Sequence, residues 1–178
     1  MAETFEDEYV REVYDVIAEH WHHTRFRPWP STLAFLEGIP KHSMIIEVGC
    51  GNGRNLVRHD VYNHGCDNSW ELLYFATTKR AVDAVMCDCL RLPYRDNSWD
   101  VVLSIAVLHH LSSAERRLQG LQELVRILTG NRLGKLLLYV RSHERQDLIV
   151  KGSRLLNSDP QEVLVPWNWN QKYQYVKH

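Results

Sequence analysis

The chain has no excess of charge of one sign: 21 lysines and arginines face 22 aspartates and glutamates in 178 residues, a net charge of -1. That balance excludes a global basic field, so any polyanion must meet a local patch. No apolar run reaches membrane-spanning length, and the first residues are acidic and polar, unlike a targeting segment. Cysteine is sparse. Cys50, Cys66, Cys87 and Cys89 are spaced neither as paired zinc hooks nor as a secreted disulfide framework. They read as reduced thiols at strand ends, and no metal site is expected in the chain. Repeats and low-complexity stretches are lacking as well. What remains is a length that suits one domain with a proper core.

Apolar spacing predicts a helix over 8–21, with Val10, Val13, Tyr14, Ile17 and Trp21 on one side. Two prolines make 24–30 irregular, and Ser31 is a good N-cap for a helix reaching Glu37. An alternation then begins. Strands are expected at Met44–Val48, 62–66, 81–87, 100–106 and 133–140, with helices over 52–57, 69–79 and 113–128. This spacing implies an α/β, Rossmann-like fold: a mostly parallel, doubly wound sheet with helices on both faces. The chain reads as a single domain, 1–178, with an N-terminal helical extension on the substrate side (1–40) and a core (41–178).

The most informative stretch is 44–53. After an apolar strand containing Glu47, Gly49, Gly51 and Gly53 permit a tight turn that passes close to a ligand. Glu47 stands where a dinucleotide-binding loop would meet a pyrophosphate, which its carboxylate would repel. A cofactor with a sulfonium, an amine and a ribose but no phosphate suits the loop better, and S-adenosylmethionine is of that kind. In an open α/β sheet the ligand lies at the carboxyl ends of the strands. The second strand ends in Asp67, followed by Asn68, and this acid can take both ribose hydroxyls. The third ends in Asp88, an acceptor for the adenine amine, with the backbone N–H of Cys89 for the ring. The fourth ends in Ile105 and Ala106, and His109 and His110 follow near the methionine moiety. Each residue alone has a plainer reading: a tight turn, a capping acid, an interior histidine. In this order they form a candidate cofactor site of Glu47, Gly49, Cys50, Gly51, Asp67, Asn68, Asp88, Cys89, Ile105 and Ala106.

Over almost its whole length the chain resembles the catalytic subunits of the eukaryotic tRNA methyltransferases that esterify 5-carboxymethyluridine at the wobble position. The resemblance rests on several segments. They are the run from Thr24 through Arg25 and Arg27 to Pro28, Trp29 and Pro30; the loop from Glu47 to Gly53 with Asn55; and the run from Ser104 to His110. Ala114, Glu115, Arg116 and Arg117 follow, and Val165, Pro166 and Trp167 close the pattern. The turn from Thr129 to Gly134 departs from the family's Arg-Pro-Gly-Gly. A complete class I methyltransferase sheet of this kind has seven strands, the last two antiparallel. Here only 172–176 resembles a further strand, so the last strand or strands are expected to be missing.

The resemblance implies a SAM-dependent O-methyltransferase acting on a carboxylate. Such a group, with a pKa of about 4, is already ionised at neutral pH and needs no general base. The site must then supply positioning, partial desolvation and a clamp. Arg25, Arg27, His109 and His110 are the clamp candidates, against ordinary ion pairs and structural histidines. Of Arg116 and Arg117, one is expected to pair with Glu115 and the other to touch RNA, helped by Arg141 and Arg145. Trp29, Trp167 and Trp169 are loop anchors or base-stacking platforms. The implied partners are the tRNA anticodon loop and a small zinc-binding activator protein. The activator would extend the sheet along an edge strand running from Ala81 to Cys87, where Val82, Val85 and Met86 are apolar. Any zinc would sit in that partner, no membrane is involved, and the expected location is cytoplasmic, with the nucleus as a second address. Two other readings stand beside this one: a SAM-dependent methyltransferase of a small molecule, and a non-catalytic binding subunit that keeps the fold.

Overall fold

A computed structural model of the chain describes residues 2–130, 134–141, 153–155 and 163–168. Five strands form one sheet: β1 (Met44–Val48), β2 (Tyr62–Asp67), β3 (Asp83–Met86), β4 (Val101–Ile105) and β5 (Lys135–Tyr139). Their order is β3-β2-β1-β4-β5, and every pairing is parallel. The chain therefore winds outward from β1 to β3, crosses back to β4, and leaves a switch point between β1 and β4. β4 is buried along its whole length and β1 in all but its first residue. Near-continuous apolar sequence is what strands covered on both faces require.

A helical arm precedes the sheet: α1 (Ala2–Glu6), a π-helical turn (Asp7–Arg11) and α2 (Glu12–Thr24). Then come α3 (Pro30–Glu37), α4 (Trp70–Arg80) and α5 (Ala114–Ile127). Leu36 of α3 and Leu73 and Ala76 of α4 join Ile45, Leu103 and Ile105 in the core on one face. Leu124 and Ile127 of α5 join Ile46, Val48 and Val102 on the other. Helices on both faces of a parallel sheet with this order make a doubly wound, Rossmann-like fold, as the strand–helix alternation predicts.

Local chemistry sets most boundaries. The Ser69 hydroxyl caps α4 by accepting from the Leu72 N–H, and the Ser113 hydroxyl caps α5 by accepting from the Arg116 N–H, each at 3.2 Å. Three expectations need correction. First, α3 begins at Pro30 with Trp29 in the cap position, ahead of Ser31, because proline lacks the N–H that the first helical residue leaves unpaired. Second, 52–57 forms turns, not a helix. Gly53 sits at φ +73°, and Arg58 spans the short return by donating to Leu36 O, Ile39 O and Asp60. Third, β3 starts only at Asp83, because Ala81 ends α4 in a left-handed conformation at φ 53°.

Residues 141–178 form a second compact unit. Its described part contains an antiparallel pair, β6 (Arg154–Leu155) with β7 (Val163–Leu164). The strand expected at 172–176, and Arg145 and Trp169, lie outside the described residues. Among the described residues no helix is long and apolar enough to cross a membrane.

The helical arm is tied to the start of α5 by one carboxylate. Glu6 accepts from Ser112 N at 2.7 Å, Ser112 Oγ at 2.8 Å, and Arg116 Nε and Nη2 at 2.8 and 2.6 Å. Arg116 thus pairs with Glu6 rather than Glu115, and Arg117 donates to Leu111 O at 2.9 Å. Burial pushes the Glu6 carboxyl up, but the Arg116 guanidinium and the Ser112 donors outweigh it and hold the group below its ordinary value of 4.5. The tie's contribution is therefore complete above that value and is lost as pH falls through the lowered pKa. Glu6→Ala should cost about 1–3 kcal/mol in urea unfolding at neutral pH. The deficit should shrink in acid; equal stability at neutral pH would dismiss the tie.

Candidate active site

Three glycines shape the end of β1. Gly49, Gly51 and Gly53 have φ of 76°, 54° and 73°, in the left-handed region that side chains disfavour. The turn is pinned to the end of β2: Gly49 N and Cys50 N both donate to Cys66 O, at 2.8 and 2.9 Å. Asp67 completes the tie. One of its carboxylate oxygens accepts from Gly51 N at 2.7 Å, and the other accepts from Ser69 N at 2.9 Å. Burial raises the Asp67 pKa, while the N–H groups of Ser69, Gly51 and Asn68 pull it down. Ala106, just past β4, is also left-handed at φ 63° and donates to Tyr139 O at 2.8 Å. A non-glycine residue held there marks a constrained corner at the switch point.

The helical arm lies across this corner. Asp15 accepts from Ser69 Oγ at 2.6 Å. Tyr14 Oη is 3.0 Å from His110 Nε2, and the Tyr14 ring meets Trp21 edge-on at 5.1 Å. A Cβ at Gly51 would lie 3.7 Å from Trp21 Nε1, so the indole packs on the glycine turn. The Asn52 amide donates to Arg25 O at 3.1 Å and lies 3.4 Å from His22 Nδ1. The arm thus brings Tyr14, Trp21 and Arg25 to the strand ends.

Beneath the turn lies Glu47, buried in β1, with Oε1 accepting from Asn55 Nδ2 at 2.6 Å. Burial drives its carboxyl up to about 8, against the Asn55 donor and the Arg54 charge. Glu47 Oε2, Asn52 Oδ1 and Asn55 Oδ1 are buried without a hydrogen-bond partner. They leave acceptors for a cationic or donor-rich ligand.

The expected residues fall into three groups. Glu47, Gly49, Cys50, Gly51, Asp67 and Asn68 lie together where β1 and β2 end, and Ile105 and Ala106 lie beside them at β4. Arg25 joins them through Trp21, with its guanidinium 4.3 Å from the indole centroid, and His110 joins through Tyr14. His109 packs on His110, ring centroids 4.4 Å apart. Asp88 lies beyond β3 in an exposed turn, where it accepts from Leu90 N at 2.9 Å; burial pushes the neighbouring Cys89 thiol up to about 12. Arg27 is exposed, and its guanidinium lies 5.4 Å from the Phe26 ring. Trp29 packs on Tyr139 at 5.5 Å, and so serves at least as a loop anchor. Sequence reasoning missed Tyr14, Asp15, Asn52 and Arg54 as site residues. For Tyr14 a signal existed: it shares one stripe of α2 with Trp21, next to Arg25 at the helix end.

Comparison with known proteins adds chemistry. Residues 46–133 match the methyltransferase domain family. The chain is 39% identical over 173 residues to the tRNA (carboxymethyluridine(34)-5-O)-methyltransferase of Schizosaccharomyces pombe, covering 96% of this chain and 72% of that protein. It is 44% identical over 146 residues to the tRNA (carboxymethyluridine(34)-5-O)-methyltransferase alkbh8 of Xenopus tropicalis, covering 82% of this chain but 23% of that one. The chain thus spans about a quarter of the length of its vertebrate relatives of that name. A solved complex between the Haloferax volcanii Trm112 methyltransferase activator and a methyltransferase aligns with a TM-score of 0.58 at 22% identity, over 67% of this chain and 56% of that one. At that identity the likeness is one of fold.

Two outcomes follow from the geometry. A Cβ at Gly49 would meet Val107 Cγ2 at 2.1 Å, on a backbone at φ +76°. Gly49→Ala should therefore lose about 1–3 kcal/mol in thermal unfolding; a variant as stable as wild type would contradict the packing. Glu47 has a raised pKa, so its folded form holds a proton that the unfolded chain releases above 4.5. Stability is then complete below that value and declines as pH rises toward 8. Glu47→Gln should raise the melting temperature of the unliganded protein more at pH 8 than at pH 5. A gain independent of pH would reject the assignment.

Proposed function

The chain belongs to the tRNA (carboxymethyluridine(34)-5-O)-methyltransferase family, and on that premise we propose that it transfers a methyl group from S-adenosylmethionine to the carboxylate of 5-carboxymethyluridine at the tRNA wobble position. The observation that carries the reading is the meeting of the glycine turn with Tyr14, Arg25 and His110 at one switch point. A cofactor turn alone would suit many methyltransferases; an arginine and a histidine brought to its rim suit an acidic acceptor.

The residues fit the cofactor on two counts. The buried Glu47 Oε2 and Asn52 Oδ1 lack partners, which suits an ammonium group, and the glycine turn has no side chain to block close approach. Asp67 would hold the ribose, since each oxygen that accepts one N–H keeps a second lone pair. Asp88 and Cys89 would meet the adenine, and Ile105 and Ala106 the methionine chain. When bound, S-adenosylmethionine supplies an electrophilic methyl group. An ionised acceptor carboxylate needs no base. Arg25, His109 and His110 would orient it and shield it from water, and the exposed Arg27 suits a phosphate of the anticodon loop.

The reading includes an activator partner. β3 is an edge strand of the sheet, with Val85 and Met86 exposed. Beside it lies a groove of about 350 Å³ lined by Trp70, Leu73, Tyr74, Thr77, Ala84 and Met86. An open apolar edge favours strand addition by a small zinc-binding protein, which would also bring basic charge that this chain lacks.

The test is transfer. The chain is incubated with labelled S-adenosylmethionine and tRNA from cells lacking the modification, with and without purified activator. Base-labile label at the wobble uridine is the expected result. Cofactor binding with no transfer to tRNA, activator present, would overturn the reading. Asp67→Ala should weaken S-adenosylhomocysteine binding in calorimetry by about 10-fold or more.

A further inference from the structure

Arg54 follows the glycine turn and has no part in the clamp proposed above. Its guanidinium lies 5.5 Å from the Trp29 ring centroid and 6.0 Å from that of Trp21. Arg25 shares the Trp21 indole. A guanidinium stacked on an indole uses its face and keeps its in-plane N–H fork for a planar acceptor.

Guanidinium groups crowd this place. Burial holds Arg25 below its ordinary value, and the Arg54 charge adds to the effect. Burial does the same to Arg54; Glu47 opposes it, and Arg80 reinforces it. Glu47 acts on Arg54 from within β1 but does not come to ion-pair distance of it. Arg80 donates to Phe26 O at 2.9 Å, but its Nε is buried without a partner. Among the described residues, neither Arg54 nor Arg80 has a carboxylate at ion-pair distance. Tyr14 meets the same Trp21 ring edge-on at 5.1 Å while its hydroxyl touches His110, so Tyr14, Arg25 and Arg54 gather round one indole. A half-buried guanidinium with no carboxylate at ion-pair distance, as at Arg54 and Arg80, costs stability, and an anionic ligand offsets that cost.

We propose that Arg54, with Arg25 and Tyr14, forms a carboxylate-binding site walled by Trp21 and Trp29. The inference rests on the proposed function in one respect: that reaction brings two carboxylates to this end of the sheet and no cofactor phosphate. One is the amino-acid carboxylate of the cofactor; the other is the carboxymethyl group of the acceptor.

The test is Arg54→Met in the full chain with its activator, which keeps an apolar stem on the indoles and removes the charge. Two matched pairs of ligands are compared by calorimetry. S-adenosylhomocysteine is set against 5′-methylthioadenosine, which lacks the amino acid. An anticodon stem-loop carrying 5-carboxymethyluridine is set against the same stem-loop carrying the uncharged carbamoylmethyl group, both with cofactor product saturating. The variant should lose about 10-fold or more in affinity for the carboxylate member of one pair and little for its twin. Which pair responds identifies the source. Arg54→Lys should recover part of the loss, and unliganded Arg54→Met should melt no lower than wild type. Equal losses within each pair, or no loss in either, would overturn the site. If wild type binds neither stem-loop, the proposed function fails, while the nucleoside pair still decides whether Arg54 holds a carboxylate.

Discussion

The tie between Asp67 and the glycine turn is the constraint on which the rest depends. One carboxylate joins Gly51 of the turn to Ser69 at the start of α4, and the carbonyl of Cys66, one residue earlier, takes two more N–H groups of the turn. Three left-handed glycines at alternate positions would otherwise be among the most mobile parts of the chain, since glycine loses the most conformational entropy on folding. Fixing them to the end of β2 gives the switch point one shape. The same acid is thereby held where a ribose can reach it, so structural and binding roles fall on one group.

A second layer is added by the helical arm. Glu6 anchors its start to Ser112 and Arg116, Asp15 meets Ser69, and the Asn52 amide takes the Arg25 carbonyl. These contacts distribute the arm's attachment over the glycine turn, α4 and α5. Side chains along one stripe of the arm then face the strand ends without needing loops of their own. Because these anchors are directional hydrogen bonds, they fix the arm's course as well as adding stability.

Electrostatics at the site work against the unliganded fold. Burial raises the pKa of the Glu47 carboxyl, and two guanidiniums crowd on the Trp21 indole. Neither arrangement is what a chain optimised for stability alone would choose. Both become favourable when a ligand carrying an ammonium and a carboxylate, or an acceptor carrying a carboxylate, completes the charge balance.

Local sequence determined much of this protein. The five strands, the helices α4 and α5 and the glycine turn were legible because each depends on residues a few positions apart. The edge position of β3 followed from the usual strand order. Where local rules competed, reading went astray: Pro30 displaced Ser31 as the start of α3, and Arg58 held turns where a helix was expected at 52–57. Only the tertiary structure decided the pairings that make the site. Arg116 chose Glu6 over its neighbour Glu115, Tyr14 found His110, and Arg54 came within reach of Trp21 and Trp29. Most of these partners are far apart in the chain and meet only once the sheet has assembled and the arm has folded over it. No propensity or spacing within a single segment encodes such a meeting.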